Sequence, residues 1–292
     1  MRNEELCSLS KNSGFIFFMI LAMTCFACRD AMNKFLASSI PVSQVLVLVG
    51  LIGTIVFFIL SFPAKVPLVD SKMKSIAFVL RFFSELISSV FLLVSIVFIS
   101  LSSASAITQA APILVAIGGK FFFKEIVTSK KWILILLGFV GVLLIIKPNN
   151  GNFNPYFLFA VISVIFLALK DLTTRSISNT LPAISVSFWS FLALFFGGLF
   201  CIPFFGSFSF LTGVDYIFLA FAAFFSASGN LFLILATRGG QVSTVTSFRY
   251  TRLPIALLIG IFLFNESLDI ITLTGCILII TVGIILGKKK YS

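Results

Sequence analysis

The sequence predicts an all-α integral membrane protein with ten transmembrane helices, arranged as two inverted five-helix repeats around a central cavity. Three observations predict this fold: the apolar composition, the number of apolar segments of membrane length, and a repeat in the order of the polar residues. The chain has 292 residues, of which 59% are hydrophobic and 11% are charged, against roughly 25% charged in an average soluble domain. This composition excludes a soluble globular protein, a disordered chain and a disulfide-stabilised scaffold.

Several kinds of chemistry lack the residues that they need. The chain has 5 Cys and no His. Cys25 and Cys28 stand inside an apolar segment, and we interpret them as small side chains facing lipid or another helix rather than as a redox pair. The absence of His and of a Cys cluster predicts no transition-metal site and no Ser-His-Asp arrangement, and no ATP-binding motif is present. We therefore expect no enzymatic activity, no metal and no cofactor.

Ten apolar segments, bounded by turn residues or charges, supply the predicted helices. A membrane helix needs about 20 residues. The predicted spans one to ten cover, in order, about 14–36, 43–62, 75–99, 104–123, 132–147, 155–178, 183–204, 215–236, 242–264 and 268–287. Most prolines stand at span ends, where they interrupt no helix. Pro112 and Pro254 lie inside spans four and nine, where neighbouring groups must satisfy the freed carbonyls.

The Lys and Arg residues of the loops indicate the orientation in the membrane. With the N-terminus in the cytoplasm, the cytoplasmic segments hold 14 Lys and Arg residues and the opposite segments hold Lys147 alone. This asymmetry predicts a multi-pass protein of the cytoplasmic (inner) membrane with both termini in the cytoplasm. The predicted regions are a tail at 1–13, repeats at 14–147 and 155–287, and a basic tail at 288–292.

A repeat at an offset of 141 or 142 residues relates the two halves of the chain. Arg29-Asp30-x-x-x-Lys34 in span one recurs as Lys170-Asp171-x-x-x-Arg175 in span six, and Pro112 recurs as Pro254. Because the repeat unit has five spans, an odd number, the second copy enters the membrane from the opposite side. An inverted repeat of this kind is typical of alternating-access transporters.

A further motif follows spans four and nine. Phe123-Lys124-Glu125 and Phe264-Asn265-Glu266 each place an acid after the span that contains the proline. Together with the ten spans and the glycine-rich spans five and ten, these motifs resemble the drug/metabolite transporter superfamily, in its EamA-type branch. The resemblance implies a central cavity lined by spans one, three, four, six, eight and nine. We expect Glu125 and Glu266 themselves to be helix-end and loop residues.

The charged and polar side chains considered as site residues stand on the same six spans, and no charge falls within the interior of spans two, five, seven or ten. A charge at the centre of a membrane helix costs about 2.5–3.5 kcal/mol on insertion scales, so these side chains must face one another or a wet cavity. In span order they are Arg29, Asp30 and Lys34; Arg81 and Glu85; Gln109; Lys170, Asp171 and Arg175; Asn230; and Arg249, Tyr250 and Arg252.

Spacing predicts which of these charges can pair within a helix. Three pairs are four residues apart and share a helix face: Asp30 with Lys34, Asp171 with Arg175, and Arg81 with Glu85. We interpret the first two pairs, with the adjacent Arg29 and Lys170, either as structural ion pairs or as gating or coupling groups. Arg175 stands at the cytoplasmic end of span six and is counted with the loops, so the span interiors hold six basic residues against three acids, an excess of positive charge. That excess favours a ligand with a carboxylate or a phosphate.

The substrate site is predicted where the repeat symmetry fails, because one asymmetric molecule does not need matching groups from both halves. At an offset of 142, Arg249 and Arg252 correspond to apolar residues, and so do Arg81 and Glu85. The predicted substrate-binding residues are Arg249, Arg252, Tyr250, Glu85, Arg81, Gln109 and Asn230. In this hypothesis the two arginines of span nine hold the anionic group, and Glu85, oriented by Arg81, meets a cationic group. The alternative is that the arginines pair with Glu85 or Asp171 across the cavity.

These inferences predict a secondary active transporter of a small polar or zwitterionic metabolite with an anionic group, such as an amino acid. The segment Phe248-Arg249-Tyr250-x-Arg252-Leu253 is similar to a stretch in the S-adenosylmethionine uptake members of the superfamily, so uptake or exchange of such a compound, or of a nucleotide, is an alternative. An intramembrane enzyme and a passive channel or lipid flippase are alternatives from other classes. The expected partners are the substrate, the lipid bilayer and a coupled proton or counter-substrate. We expect a monomer or homodimer and no nucleic acid.

Overall fold

The computed structural model describes residues 2–123, 129–146, 154–177, 181–206, 208–239, 248–267 and 269–287. Within these ranges the regular structure is helical and no strand occurs, which confirms the all-α prediction. The helices are α1 (Arg2–Ser39), α2 (Val42–Ala64), α3 (Ile76–Phe98), α4 (Leu101–Thr108), α5 (Ala111–Phe123), α6 (Ser129–Ile146), α7 (Tyr156–Ile177), α8 (Ala183–Phe205), α9 (Gly213–Gly239), α10 (Arg252–Phe264) and α11 (Ile270–Gly287), with two short 3-10 helices, η1 (Ser71–Lys74) and η2 (Phe248–Thr251).

The helices have the length and surface of a membrane bundle. In the described part of the chain, seven helical segments are long and apolar enough to cross a membrane, if α4 and α5 are counted as one interrupted span. Shorter apolar stretches occupy Trp132–Ile146 in α6 and Ile270–Val282 in α11. Large apolar side chains such as Phe200 and Phe262 face outward, as a lipid environment requires. The protein is therefore a multi-pass membrane protein.

The main helix contacts join the first half of the chain to the second. Helix α1 packs along α9, and α3 packs along α7. The repeat relates α1 to α7 and α9 to α3, so these two contacts are equivalent. Helix α2 packs on α8 and α6 on α11. In the α2–α8 contact a Cβ at Gly50 would lie 2.5 Å from the backbone nitrogen of Phe195, so this close approach requires glycine.

The bundle has two ends, which we name by helix α1. The proximal end is where α1 begins, and the distal end is where it finishes. At the distal end, Gln44 Nε2 on α2 donates to the carbonyl of Ser209 at 2.8 Å. At the proximal end, Trp189 Nε1 on α8 donates to the carbonyl of Leu68 at 2.9 Å. Both bonds fasten a connecting segment to a helix from the other half.

Span four is interrupted rather than continuous. Helix α4 begins at Leu101, not at residue 104, because the Ser100 hydroxyl accepts the Ser103 N–H at 3.1 Å as an N-cap. It ends at Thr108, and α5 starts at Ala111. Pro112 lies in the first turn of α5, where its missing N–H removes no helical hydrogen bond. The proline therefore marks a break between two half-helices.

Span nine repeats this arrangement. In the described residues it consists of η2 followed by α10, and Pro254 lies in the first turn of α10. Residues 240–247, with the start of the predicted span, lie outside the described residues, as do Lys124, Glu125 and the basic tail at 288–292. Helix α1 begins at Arg2, so residues 2–13, predicted as a tail, continue the first helix.

Candidate functional site

Asp30 on α1 lies between two arginines from different helices. Its carboxylate pairs with Arg252 Nη2, at the start of α10, and with Arg29 Nη2 at 2.7 Å. The Asp30 side chain is 1% exposed. Both guanidinium groups stand over the ring of Phe26, at 5.0 Å for Arg29 and 5.8 Å for Arg252, as in cation–π contacts. This cluster joins the two repeats, and its Asp30–Arg252 pair is enclosed while Arg29 stays 23% exposed.

Asp171 on α7 pairs with the other arginine of span nine. Arg249 Nη1 lies 2.8 Å from Asp171 Oδ2, and the two side chains are 22% and 19% exposed. The Arg249 carbonyl accepts a hydrogen bond from Gln109 Nε2 at 2.8 Å. Gln109 occupies the turn between α4 and α5. The breaks in spans four and nine are thus tied to each other beside an accessible ion pair.

Glu85 on α3 forms the third group of charges. Lys170 Nζ lies 3.3 Å from Glu85 Oε2, and Arg81 Nη2 lies 3.8 Å from it. Arg81 is also held by Thr174, whose hydroxyl accepts from Nε at 2.9 Å, and by Ser190, whose hydroxyl accepts from Nη2 at 2.9 Å. Arg81 is therefore fixed mainly by α7 and α8. Its predicted pair with Glu85 is confirmed, and at 3.8 Å it is longer than the 3.3 Å contact between Glu85 and Lys170.

Lys34 and Glu266 connect three elements at the distal end. Lys34 Nζ lies 2.9 Å from Glu266 Oε1, and it also donates to the carbonyl of Ile99 at 3.2 Å. Glu266 accepts the backbone N–H groups of Leu101 at 2.6 Å and Ser102 at 3.0 Å, and the Ser102 hydroxyl at 2.6 Å. The carboxylate thus caps the positive end of α4. A cavity of about 420 Å³ opens beside this group.

The Glu266 carboxyl lies in the turn after α10, outside the spanning helices. Burial alone would raise its pKa. The hydrogen bonds from Ser102 and Lys34, with the positive charge of Lys34, outweigh burial and hold the pKa below its ordinary value. We therefore treat Glu266 as ionised in this arrangement.

The remaining predicted site residues differ in how they are placed. Tyr250 is 4% exposed, and its hydroxyl has no hydrogen-bond partner among the described residues. The Nε of Arg252 is unpartnered within the same described set. Asn230 is partly buried on α9, directly after Gly229, which packs against Phe26.

Of the two ion pairs predicted within spans one and six, one is wrong and the other is not tested. The predicted Asp30–Lys34 pair is wrong, because Asp30 binds Arg252 and Arg29 while Lys34 binds Glu266. The Arg175 side chain, the predicted partner of Asp171, lies outside the described residues. A four-residue spacing permits a contact worth only about 0.2–0.5 kcal/mol on a helix, so partners from neighbouring helices decide the pairing.

The charge balance also changes because Glu266, in the turn after α10 as expected, contacts Lys34 of span one. Within the described residues, the six basic side chains of the spans each contact a carboxylate, and the acids are Asp30, Glu85, Asp171 and Glu266. The site therefore has four acidic and six basic side chains, whereas the spans alone contribute three acidic side chains. The recurrence of Glu125 as Glu266 was the signal that could have identified the fourth acid.

Comparison with known proteins identifies the fold family. A model described as the EamA-like transporter family matches residues 13–147 and again residues 154–287. The chain belongs to the EamA-like transporter family. The predicted membership of the drug/metabolite transporter superfamily is confirmed. In this EamA-like chain the Asp30–Arg252 and Lys34–Glu266 pairs each join the first matched stretch to the second.

Proteins named as transporters of metabolites are similar to this EamA-like chain. An S-adenosylmethionine uptake transporter of Rickettsia bellii is 30% identical over 192 residues, which are 65% of this chain and 65% of that protein. A pseudopaline exporter of Pseudomonas aeruginosa is 23% identical over 278 residues, 94% of this chain and 96% of that protein. The chain thus spans just under two thirds of the Rickettsia relative that it matches and nearly all of the exporter.

A crystal structure resembles the fold over its whole length. The TM-score is 0.65, at 15% sequence identity, and the superposition covers 97% of this chain and 99% of the other. At this level of identity the likeness shows the fold alone.

Proposed function

We propose that the chain is a secondary active transporter that moves a small zwitterionic metabolite with a carboxylate across the cytoplasmic membrane by alternating access. The observation that carries the proposal is the ion pair of Arg249 and Asp171, which lies where the breaks of spans four and nine meet. The Arg249 side chain is 22% exposed and the Asp171 side chain is 19% exposed. Arginine keeps its proton in proteins, and its planar group can bind a carboxylate through two hydrogen bonds.

The two ends of a zwitterion have separate binding groups in this proposal. Arg249 binds the carboxylate of the substrate. Glu85, whose side chain is 15% exposed and contacts Lys170 at 3.3 Å, receives the cationic group. Glu85 and Asp171 lie on α3 and α7, which pack along each other. Arg249, in η2, is thus paired with an acid on the helix that packs along the helix of Glu85, and Arg81 positions Glu85 from the same helix face.

Arg252 has a structural role in this proposal, although its position in span nine makes it a second candidate for the anionic group. Its side chain is 9% exposed and its partner Asp30 is 1% exposed. A carboxylate ligand would have to displace a fully enclosed acid to reach Arg252. At Arg249 it would displace an accessible one. The accessible arginine is therefore the better anion site.

S-adenosylmethionine is the first compound to test as a substrate. The name of the Rickettsia relative supports this choice, and so does the chemistry of the compound. Its α-amino acid group supplies a carboxylate for Arg249 and an ammonium for Glu85. The coupled species in this proposal is a proton or a counter-substrate.

Binding of paired ligands to the purified full chain tests the anion site. Calorimetry should show that S-adenosylmethionine binds and that its decarboxylated analogue, which keeps the adenosine and the sulfonium, binds roughly 30-fold more weakly, as loss of a charged hydrogen-bonded contact predicts. Arg249→Gln should weaken the binding of S-adenosylmethionine by a similar factor and leave the affinity for the decarboxylated analogue unchanged. Lys74→Gln, a change in the exposed η1 segment, serves as the control.

Two results would contradict the proposed anion site. One is equal affinity for both ligands in the unaltered protein. The other is a loss of affinity in Arg249→Gln that is the same for both ligands, since that would indicate a general disturbance of the fold. A third result is that a different zwitterion, such as a free amino acid, binds in place of S-adenosylmethionine with the same dependence on Arg249. That result would support the proposed anion site and reject S-adenosylmethionine as the substrate.

A further inference from the structure

The Arg249–Asp171 pair is more exposed than the Arg252–Asp30 pair, which is the other ion pair formed by span nine. Both arginines come from the same short stretch, and each binds an aspartate at 2.8 Å or closer. Asp30 is enclosed at 1% exposure, whereas Asp171 keeps 19% of its side chain exposed. Asp171 can therefore leave its arginine without being buried alone.

A carrier that performs net transport must also close when it is empty, and in this chain the closed empty state would enclose Arg249. Its guanidinium cannot lose its proton, and an unpaired charge in a closed interior is strongly unfavourable. Among the described residues, the carboxylate that contacts Arg249 is Asp171. The chain itself thus supplies the counter-charge that the closed empty state needs.

We propose that Asp171 takes the place of the substrate carboxylate on Arg249 when the carrier is empty, so that the protein carries out net transport and not obligate exchange. The inference rests on the proposed function, because it assumes that Arg249 holds the substrate carboxylate. Substrate binding then exchanges one carboxylate for another on the same guanidinium. The Arg249 guanidinium is thus paired with one carboxylate in both the loaded and the empty carrier, and both can reorient. The Asp171 carboxylate that the substrate displaces keeps its charge and its access to open space.

Asp171→Asn separates the two transport modes, because it keeps the shape of the side chain and removes its charge. In proteoliposomes with tritiated S-adenosylmethionine, the unaltered protein should show net uptake into empty vesicles within about 3-fold of its counterflow into preloaded vesicles. In Asp171→Asn, net uptake should fall at least roughly 10-fold while counterflow is kept, because only the closed empty state loses its counter-charge. Asp70→Asn, in the exposed segment before η1, is the matched control.

A free carboxylate tests the exchange on Arg249 without any substrate. Purified Asp171→Asn should melt at a lower temperature than the unaltered protein, and 100 mM acetate, compared with chloride at equal ionic strength, should restore about 3 °C. Acetate should not stabilise the unaltered protein, Asp70→Asn or the double variant Asp171→Asn with Arg249→Gln. A gain that persists without Arg249 would place the acetate elsewhere and overturn the inference.

The flux measurements give further outcomes that would overturn the inference. Equal losses of net uptake and counterflow in Asp171→Asn would show a general defect, and unaltered protein that only exchanges would exclude reorientation of the empty carrier. Failure of the unaltered protein to transport S-adenosylmethionine in either mode counts against that substrate. In that case the acetate response still decides whether Asp171 substitutes for a free carboxylate.

Discussion

At the scale of the residue, Asp30 is held more tightly than a membrane-embedded acid needs for charge neutrality. Arg252 and Arg29 both bind its carboxylate, and Phe26 supports both guanidinium groups. Two of the three charges come from α1 and the third from α10, so the cluster fastens the first repeat to the second. Its enclosure indicates a structural lock, in contrast to the accessible pair at Arg249.

Replacing Asp30 by asparagine should therefore destabilise the protein. The change leaves the enclosed Arg252 without its counter-charge, and breaking a buried pair costs about 3–5 kcal/mol. Unfolding of the purified protein by titrated denaturing detergent, followed by helical circular dichroism, measures the loss. Asp70→Asn should shift the transition far less, because Asp70 is only partly buried and accepts the Lys72 N–H as the N-cap of η1, a bond that asparagine can also accept. Equal shifts for the two variants would argue against a lock at Asp30.

At the scale of the element, the turn after α10 closes the distal end of the bundle. Asn265 takes a left-handed conformation with φ of 50°, and this turn brings Glu266 onto the start of α4. A Cβ at Gly260 would lie 2.5 Å from Glu266 Oε2, so the glycine leaves room for the carboxylate. Helices α1, α4 and α10 are thus joined through a single acid.

This closure should depend on pH in a defined direction. The closed arrangement holds the pKa of Glu266 below its ordinary value, so closure is favoured while the pH stays above the ordinary Glu pKa of about 4.3. Closure weakens as the pH falls through the lowered pKa. Spin labels at Ser38 and Ser267, both exposed at the distal end, should report longer distances by double electron–electron resonance at low pH than at pH 7.

Two variants test whether Glu266 causes this change. Glu266→Gln should show the longer distances already at pH 7 and should respond little to further acid. Gly260→Ala should act in the same direction, because the added methyl group displaces the carboxylate from Ser102. Distances that change with pH as strongly in Glu266→Gln as in the unaltered protein would assign the effect to another group.

At the scale of the whole molecule, the loop charges orient the bundle in the membrane. The segments at the proximal end carry 14 Lys and Arg residues, and the opposite segments carry Lys147 alone. Loops rich in Lys and Arg stay in the cytoplasm. The proximal end is therefore expected to face the cytoplasm, and the closure at Glu266 to face the outside.

Labelling of single cysteines in intact cells tests this orientation. In a background with Cys7→Ser, Phe210→Cys in the exposed loop after α8 should react with a membrane-impermeant maleimide, and Val69→Cys in the loop after α2 should react only after the cells are permeabilised. Both positions are exposed, at 102% and 77%, so a difference in labelling reports their side of the membrane. Labelling of Val69→Cys but not Phe210→Cys in intact cells would show that the orientation in the membrane is the opposite one.

The sequence by itself determined the class of the protein, the approximate spans, the internal repeat and the expected orientation. These properties follow from hydropathy along the chain, from counting charges in loops and from comparing positions 141 or 142 residues apart. They do not require knowledge of which helix stands beside which. The same reasoning placed the charged and amide side chains of the predicted site on six spans and identified Arg249 and Glu85 as candidates for a ligand site.

Only the tertiary structure decided which charges meet. Asp30, Lys34 and Glu85 each have a partner from a distant part of the chain, up to 232 residues away in the case of Lys34 and Glu266. Their pairing depends on helix rotation and depth in the bundle, which a spacing of four residues does not specify. The break in span four and the distinction between the enclosed Arg252 and the accessible Arg249 have the same origin. Burial and partner choice arise from how distant segments pack, because the cost of an isolated charge in the membrane is relieved only by whichever group lies within contact distance.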